Sequence, residues 1–216
     1  MTIERVEIGP HVLYCGDCLE VLPMLAAGSV DAVVTDPPYP DFYIDEYRYR
    51  NGLIDFLADF SCRQFVFWSG DFSFPLSYSA VHIWNKNPSN HGAQYERIFE
   101  RNGGSQRKVY TYYMVNSTVA ASMTFDTVSG HPSQKPLRLM RKLCEEAQAR
   151  VILDPFMGSG TTGVACVKTG RKFIGVEIER KYFDIACRRI EQAMLQPQLF
   201  SAESLEKPKQ AGLGLP

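Results

Sequence analysis

The chain has 216 residues, 45% hydrophobic and 22% charged, with a formal net charge of −1, a balance that suits one soluble domain with a substantial core. No apolar stretch approaches the ~20 residues needed to span a bilayer, and the N-terminus lacks the basic-then-apolar shape of a signal peptide. The cytoplasm is the expected compartment, and the near-zero charge does not by itself announce a nucleic-acid binder.

In chain order, short β-rich runs alternate with helical patterns, which predicts an α/β domain with a mainly parallel sheet covered by helices. The predicted strands are His11 to Cys15, Asp31 to Thr35, Gln64 to Ser69, Val81 to Asn85, Gln94 to Glu100, Val151 to Asp154 and Lys172 to Ile178. The predicted helices are Leu137 to Ala149, Thr161 to Thr169 and Arg180 to Leu195. In the last, Tyr182, Ala186, Ile190 and Met194 recur at helical spacing and give one apolar face. Residues 86–130 are rich in Asn, Ser, Gly, Thr and Tyr, with the turn signal Asn102-Gly103-Gly104-Ser105, and read as an irregular insertion carrying a strand pair. The tail Ser201 to Pro216 has little apolar periodicity and reads as disordered. The expected organisation is one domain over residues 1–200, an insertion at about 87–130 and a tail at 201–216.

Six cysteines are scattered along the chain, and only Cys15-Gly16-Asp17-Cys18 has ligand-like spacing. No second pair or matching histidines accompany it, so reduced thiols are expected and no metal site.

Thr35-Asp36-Pro37-Pro38-Tyr39 stands where the apolar run Val30 to Val34 spills into a loop. A carboxylate, two rigid prolines and an aromatic ring can hold a flat, amino-bearing ring, which points to chemistry on a nucleobase. Much later, Val151-Ile152-Leu153 runs into Asp154-Pro155-Phe156-Met157-Gly158-Ser159-Gly160-Thr161-Thr162. Gly158 and Gly160 would let the backbone pass close to a ligand, and the following helix would present free N–H groups. Glu177 ends the next strand, 19 residues beyond Gly158, an offset suited to gripping ribose hydroxyls at the switch point of an open sheet. The turn lacks the Lys-Ser/Thr of a phosphate-binding loop and the G-x-G-x-x-G spacing of a dinucleotide site. A nucleoside without phosphates remains, and S-adenosylmethionine (SAM) is the candidate.

Two stretches are locally basic. Lys86, Arg97, Arg101, Arg107 and Lys108 face only Glu96 and Glu100; Lys135, Arg138, Arg141, Lys142 and Arg150 face Glu145 and Glu146. Such runs are usually solvated faces. Beside a base-sized pocket they read as a phosphate-contacting surface.

Taken together, these segments resemble the amino-group DNA methyltransferases, which modify adenine N6 or cytosine N4. Asp36-Pro37-Pro38-Tyr39 resembles the family's catalytic D/N/S-P-P-Y/F/W element, Asp154 to Thr161 its SAM-binding turn, and Glu177 its ribose-binding acid. His131-Pro132-Ser133-Gln134-Lys135-Pro136 resembles the segment lining the methionine end of the pocket, and Gly16-Asp17-Cys18 the element whose acid approaches the cofactor adenine. The catalytic element precedes the cofactor turn, the circularly permuted order of the family's beta group, which makes DNA the expected substrate. The resemblance implies a Rossmann-like SAM-dependent methyltransferase fold with a mostly parallel seven-stranded sheet and one antiparallel strand. It implies catalytic roles for Asp36, Pro37, Pro38 and Tyr39. SAM contacts are implied for Asp17, Cys18, Asp36, Lys135, Pro136, Asp154, Phe156, Gly158, Ser159, Gly160, Thr161, Thr162 and Glu177.

On this reading Asp36 and the Pro37 carbonyl accept the two N–H groups of an exocyclic amine, while Tyr39 stacks on the extruded base for ~1–3 kcal/mol. Stacking partly offsets the few kcal/mol needed to flip the base out. Aspartate at the first position leans towards adenine N6; cytosine N4 is the alternative. An RNA or protein methyltransferase is disfavoured by motif order, and a non-catalytic DNA-binding module by the intact Asp36, Tyr39, Glu177 and turn glycines. Lys86, Arg97, Arg101, Arg107 and Lys108 are the expected DNA contacts, with Tyr110, Tyr112 and Tyr113 beside them. Gln196-Pro197-Gln198-Leu199-Phe200 resembles the Q-x-x-L-F peptide that docks on the bacterial sliding clamp, through Gln196, Leu199 and Phe200. Duplex DNA is thus the expected partner, with a homodimer implied by analogy, in a bacterial or phage-infected cell.

Overall fold

The computed structural model describes residues 2–39, 52–68, 72–86, 95–112 and 134–196. Its strands are β1 (Glu4–Ile8), β2 (His11–Cys15), β3 (Ala32–Thr35), β4 (Arg63–Trp68), β5 (Ala80–Asn85), β6 (Tyr95–Arg101), β7 (Val109–Thr111), β8 (Val151–Asp154) and β9 (Lys172–Glu177). The α-helices are α1 (Cys18–Val21), α2 (Leu137–Ala147), α3 (Thr161–Lys168) and α4 (Arg180–Leu195), with 3₁₀ segments at Leu22–Met24 and Asp55–Asp59.

Among the described residues all strands join one sheet, in the order β1-β2-β9-β8-β3-β4-β6-β5-β7. β2, β9, β8, β3 and β4 run parallel to one another, and β6 is antiparallel to both β4 and β5. Every predicted strand forms, with ends within a residue of expectation; Ser69 and Gln94 lie outside the described residues. The sheet has nine strands rather than seven, because β1 and β7 extend its two edges. β1 alternates half-buried and exposed positions and turns back antiparallel into β2 through Gly9, whose φ is +56°. It therefore carries no apolar run to announce it. β7 is only Val109–Thr111 and pairs in parallel with β5. β6 and β7, both within the stretch expected to form the insertion, are strands of the main sheet, and they do not pair with each other because β5 lies between them.

Alternation along each strand sends side chains to opposite faces. Ala32, Val34, Phe65, Phe67, Ile98 and Ile152 pack beneath Leu139, Leu143, Val164, Phe183 and Ile190 of the helices. Val33, Val66, Trp68, Phe99 and Leu153 face the other way, onto Ile54 and Leu57 around the second 3₁₀ segment. Helix α2 stops two residues short of expectation because Gln148 turns into the left-handed region, at φ +53°. No described helix is long and apolar enough to cross a membrane.

Candidate functional site

Five adjacent parallel strands put their carboxyl ends along one rim, where open α/β sheets bind ligands. Asp36 follows β3, Asp154 closes β8, Glu177 closes β9, and Gly16-Asp17 follow β2. β3 and β8 are neighbours in the sheet although more than a hundred residues part them in sequence. The two motifs of the permuted chain therefore meet side by side.

The glycine turn is held from three sides. Gly158 (φ +50°) and Gly160 (φ +80°) take left-handed conformations. Asp154, 3% exposed, accepts the hydroxyls of Thr35 (2.7 Å) and Thr162 (2.6 Å) and the Phe156 N–H (3.1 Å). Burial raises its pKa to about 6 against those hydrogen bonds. Glu177 accepts the N–H groups of Gly158 (2.9 Å) and Glu179 (2.8 Å), and burial lifts its carboxyl to about 7. From α4, Arg189 donates to the Ser159 carbonyl (2.6 Å) and to Thr161 Oγ1 (3.1 Å).

Asp17 does not simply point into the rim: its Oδ1 accepts the Leu19 N–H at 3.0 Å and caps α1. Cys18 is buried beneath it. Phe156 stays half-buried, its ring 6.2 Å from that of Phe56, so the two offer an apolar wall beside the turn.

Beyond β3, Pro37 is buried and Asp36 is half-buried. Tyr39 donates its hydroxyl to Asp36 Oδ1 at 2.5 Å, and its ring meets Trp68 edge-on at 5.9 Å. Lys135, 6% exposed, forms an ion pair with Asp36 Oδ2, lies 3.4 Å from Glu96 Oε2, and sits over the Phe67 ring at 5.0 Å. Burial raises the Asp36 pKa; Lys135 pulls it down and Glu96 pushes it up, and the net direction is upward. On Glu96 burial is outweighed by Lys135 and Lys86, and the carboxyl is held below its ordinary value. The two acids around one ammonium are thus pushed apart in pKa. Pro136 precedes α2, whose Met140 N–H reaches its carbonyl at 3.1 Å. His131, Pro132 and Ser133 lie outside the described residues.

A model of the amino-group DNA methylases, the N6/N4 type, matches residues 65–188. The chain belongs to this family. Among its relatives, the DNA adenine methyltransferase YhdJ of Escherichia coli K12 is 27% identical, over 92% of this chain and 87% of its own length. The type II methyltransferase M2.DpnII of Streptococcus pneumoniae is 36% identical over 50% of this chain and 39% of its own. The crystal structure of M1.HpyAVI with SAM superposes at a TM-score of 0.54, with 25% identity, covering 82% of this chain and 98% of that one. The cytosine-N4-specific PvuII DNA methyltransferase shares the fold, with a TM-score of 0.59 at 15% identity and coverage of 89% and 88%.

For an amino-group DNA methyltransferase, the expected cationic surface is largely committed within the protein. Arg101 is 5% exposed and donates to the carbonyls of Ser77 (2.7 Å) and Leu57 and to Gln64 Oε1 (2.8 Å). It braces β6 and is not a phosphate contact: the burial that stabilises those bonds removes it from any backbone of DNA. Arg97 donates to the Phe72 carbonyl at 2.6 Å, Lys86 pairs with Glu96 at 2.5 Å, and Lys108 with Glu146 at 2.7 Å. Arg107 is exposed. Tyr110 is buried, its hydroxyl on Glu146 at 2.7 Å, while Tyr113 and residues 87–94 and 114–130 of the expected reader lie outside the described residues.

No role was expected for Thr35, Glu96, Arg189 or Phe56, although Thr35 opens the Asp36 motif and Glu96 stands in the first basic stretch. Thr35 stands directly before Asp36, and a hydroxyl at the end of an apolar strand is a visible signal. The other three come from distant segments and carry no local motif.

Proposed function

We propose that the protein transfers a methyl group from SAM to the exocyclic amino group of a base flipped out of duplex DNA, and that this base is adenine, methylated at N6. The observation that carries the reading is the adjacency of β3 and β8, which sets Asp36-Pro37 beside the glycine turn, clasped through Thr35 and Asp154. The residues present fit SAM. Glu177 supplies a buried carboxylate at the strand end for ribose hydroxyls, Phe156 and Phe56 an apolar wall, and the Gly158–Gly160 turn a close backbone approach. SAM supplies an electrophilic methyl group.

The lone pair of an exocyclic amine is delocalised into its ring, so it attacks poorly. Asp36 and the Pro37 carbonyl accept its two N–H groups and draw the nitrogen towards a tetrahedral shape, leaving the lone pair free for in-line attack. On methylation the nitrogen sheds one N–H proton to the Asp36 carboxylate that already accepts it, and positioning and electrostatics do the rest. Tyr39 leaves the Asp36 carboxylate to stack on the base. Adenine is supported by the aspartate that opens the motif and by the activity named for the E. coli relative.

The reading extends to the cell. The protein acts in the cytoplasm of a bacterial or phage-infected cell, as a homodimer, and docks on the sliding clamp through Gln196, Leu199 and Phe200. Gln196 closes α4 and accepts from Lys168 at 3.1 Å, and residues 197–200 lie outside the described residues. Equal recovery of the clamp by the wild type and a Leu199→Ala/Phe200→Ala double variant removes that contact from the account.

Incubating the protein and labelled SAM with unmethylated duplex DNA, RNA and a protein mixture tests the substrate. Label is expected in duplex DNA, released on digestion as N6-methyldeoxyadenosine. N4-methyldeoxycytidine would move the assignment to cytosine.

A further inference from the structure

Around Asp36, one buried ammonium is offered two carboxylates on different terms. Lys135 makes a short ion pair with Asp36 Oδ2 and a longer one, 3.4 Å, with Glu96 Oε2, which has no other partner among the described residues. That oxygen is buried, and a buried carboxylate oxygen held only by a long ion pair gains from a closer approach of its cation. Its sister oxygen is anchored by Lys86 at 2.5 Å, so Glu96 cannot swing away from the site. The Phe67 ring lies under the Lys135 ammonium. Glu96 comes from β6, the strand set antiparallel against β4, and thereby reaches the site from the side opposite the glycine turn.

On Asp36, Oδ1 holds the Tyr39 hydroxyl and Oδ2 the Lys135 ammonium. Even after Tyr39 leaves Oδ1, the Lys135 ammonium stays on Oδ2 and draws the carboxylate's charge away from a target amine. We infer that Glu96 is a positioning residue for methyl transfer: its waiting Oε2 takes Lys135 over from Asp36 when the target base enters, freeing Asp36 to accept the amine N–H. The ammonium stays buried and paired throughout, so the exchange leaves no lone charge in the interior. The inference rests on the methyl-transfer reading above.

The charged and titratable groups facing Asp36 are Lys135 before α2, Glu96 on β6, Tyr39 after β3 and Asp154 on β8, with Lys86 of β5 behind Glu96. Removing the Glu96 charge leaves Lys135 bound to Asp36 alone. The carboxylate then becomes harder to protonate and also harder to free. Removing the Lys135 charge does the reverse to its protonation.

The test compares wild type, Glu96→Gln, Glu96→Asp and Lys135→Met in methyl transfer to unmethylated duplex DNA across pH, with SAM affinity measured by calorimetry. In Glu96→Gln, kcat is expected to fall on the order of tenfold with KM for DNA within about twofold of wild type. Its acid limb is expected to move to lower pH, that of Lys135→Met to higher pH, and Glu96→Asp to recover much of kcat. An unmoved acid limb in Glu96→Gln, or loss of its SAM binding, overturns the inference and leaves Glu96 a structural residue. A wild type that methylates no DNA removes the underlying reading instead.

Discussion

Thr35 donates its hydroxyl to Asp154 Oδ1 at 2.7 Å, across 119 residues of sequence. The same carboxylate accepts Thr162 from the first turn of α3 and the Phe156 N–H of the glycine turn. The end of the catalytic strand and the cofactor turn are thereby one hydrogen-bonded unit, and Asp36 inherits its position from a residue at the start of that turn.

Thr35→Val removes the donor while keeping the branched shape of a strand residue. It is expected to cost ~1–3 kcal/mol in denaturant unfolding, since a buried carboxylate oxygen loses its hydroxyl partner. It should also lower kcat, whereas Thr35→Ser, which keeps the hydroxyl, is expected to remain near wild type in both measurements.

Glu177 links SAM binding to pH. Ribose hydroxyls donate best to an ionised carboxylate, and burial sets this one at about 7 in the ligand-free protein. SAM affinity is therefore expected to weaken about tenfold between pH 8 and pH 6, read by calorimetry. Glu177→Gln should bind more weakly and lose the pH dependence; a dependence that survives in Glu177→Gln contradicts the assignment.

Stability moves the other way. Asp154 and Glu177 are raised above their ordinary values of 3.8 and 4.5, to about 6 and about 7. The folded state then holds more protons than the unfolded one between those limits, and stability falls as pH rises through them. The Glu177 share, read as the difference in urea unfolding between SAM-free wild type and Glu177→Gln, should decline from about pH 4.5 to about pH 7.

Much of this was legible in the sequence because the rim is built from strand ends. An apolar run that stops at Asp36, Asp154 or Glu177 marks both the strand and the chemistry at its tip. What could not be read were the partners brought in by long-range pairing. Glu96 and Arg101 stand five residues apart on β6, one half-buried at the site and the other sealed in the core. The sequence shows only two charges in a basic stretch. The edge strands β1 and β7 escaped for a different reason, since neither buries enough apolar surface to leave a pattern.

Gly160→Ala probes the turn by sterics. A Cβ there would lie 2.8 Å from the Ala186 Cβ and 3.0 Å from its Cα, at a φ of +80° that side chains rarely adopt. The left-handed conformation alone costs ~1–2 kcal/mol, and the clash with α4 adds to it. A lowered thermal midpoint and loss of SAM binding are expected together; unchanged values for both would contradict the packing described.

The most direct measurement compares wild type and Asp36→Ala for methyl transfer to duplex DNA, with SAM binding followed in parallel. Losing the charge-assisted hydrogen bond to the target amine should slow transfer at least about ten- to a hundredfold, with SAM affinity nearly intact. Near-normal turnover by Asp36→Ala would contradict the account.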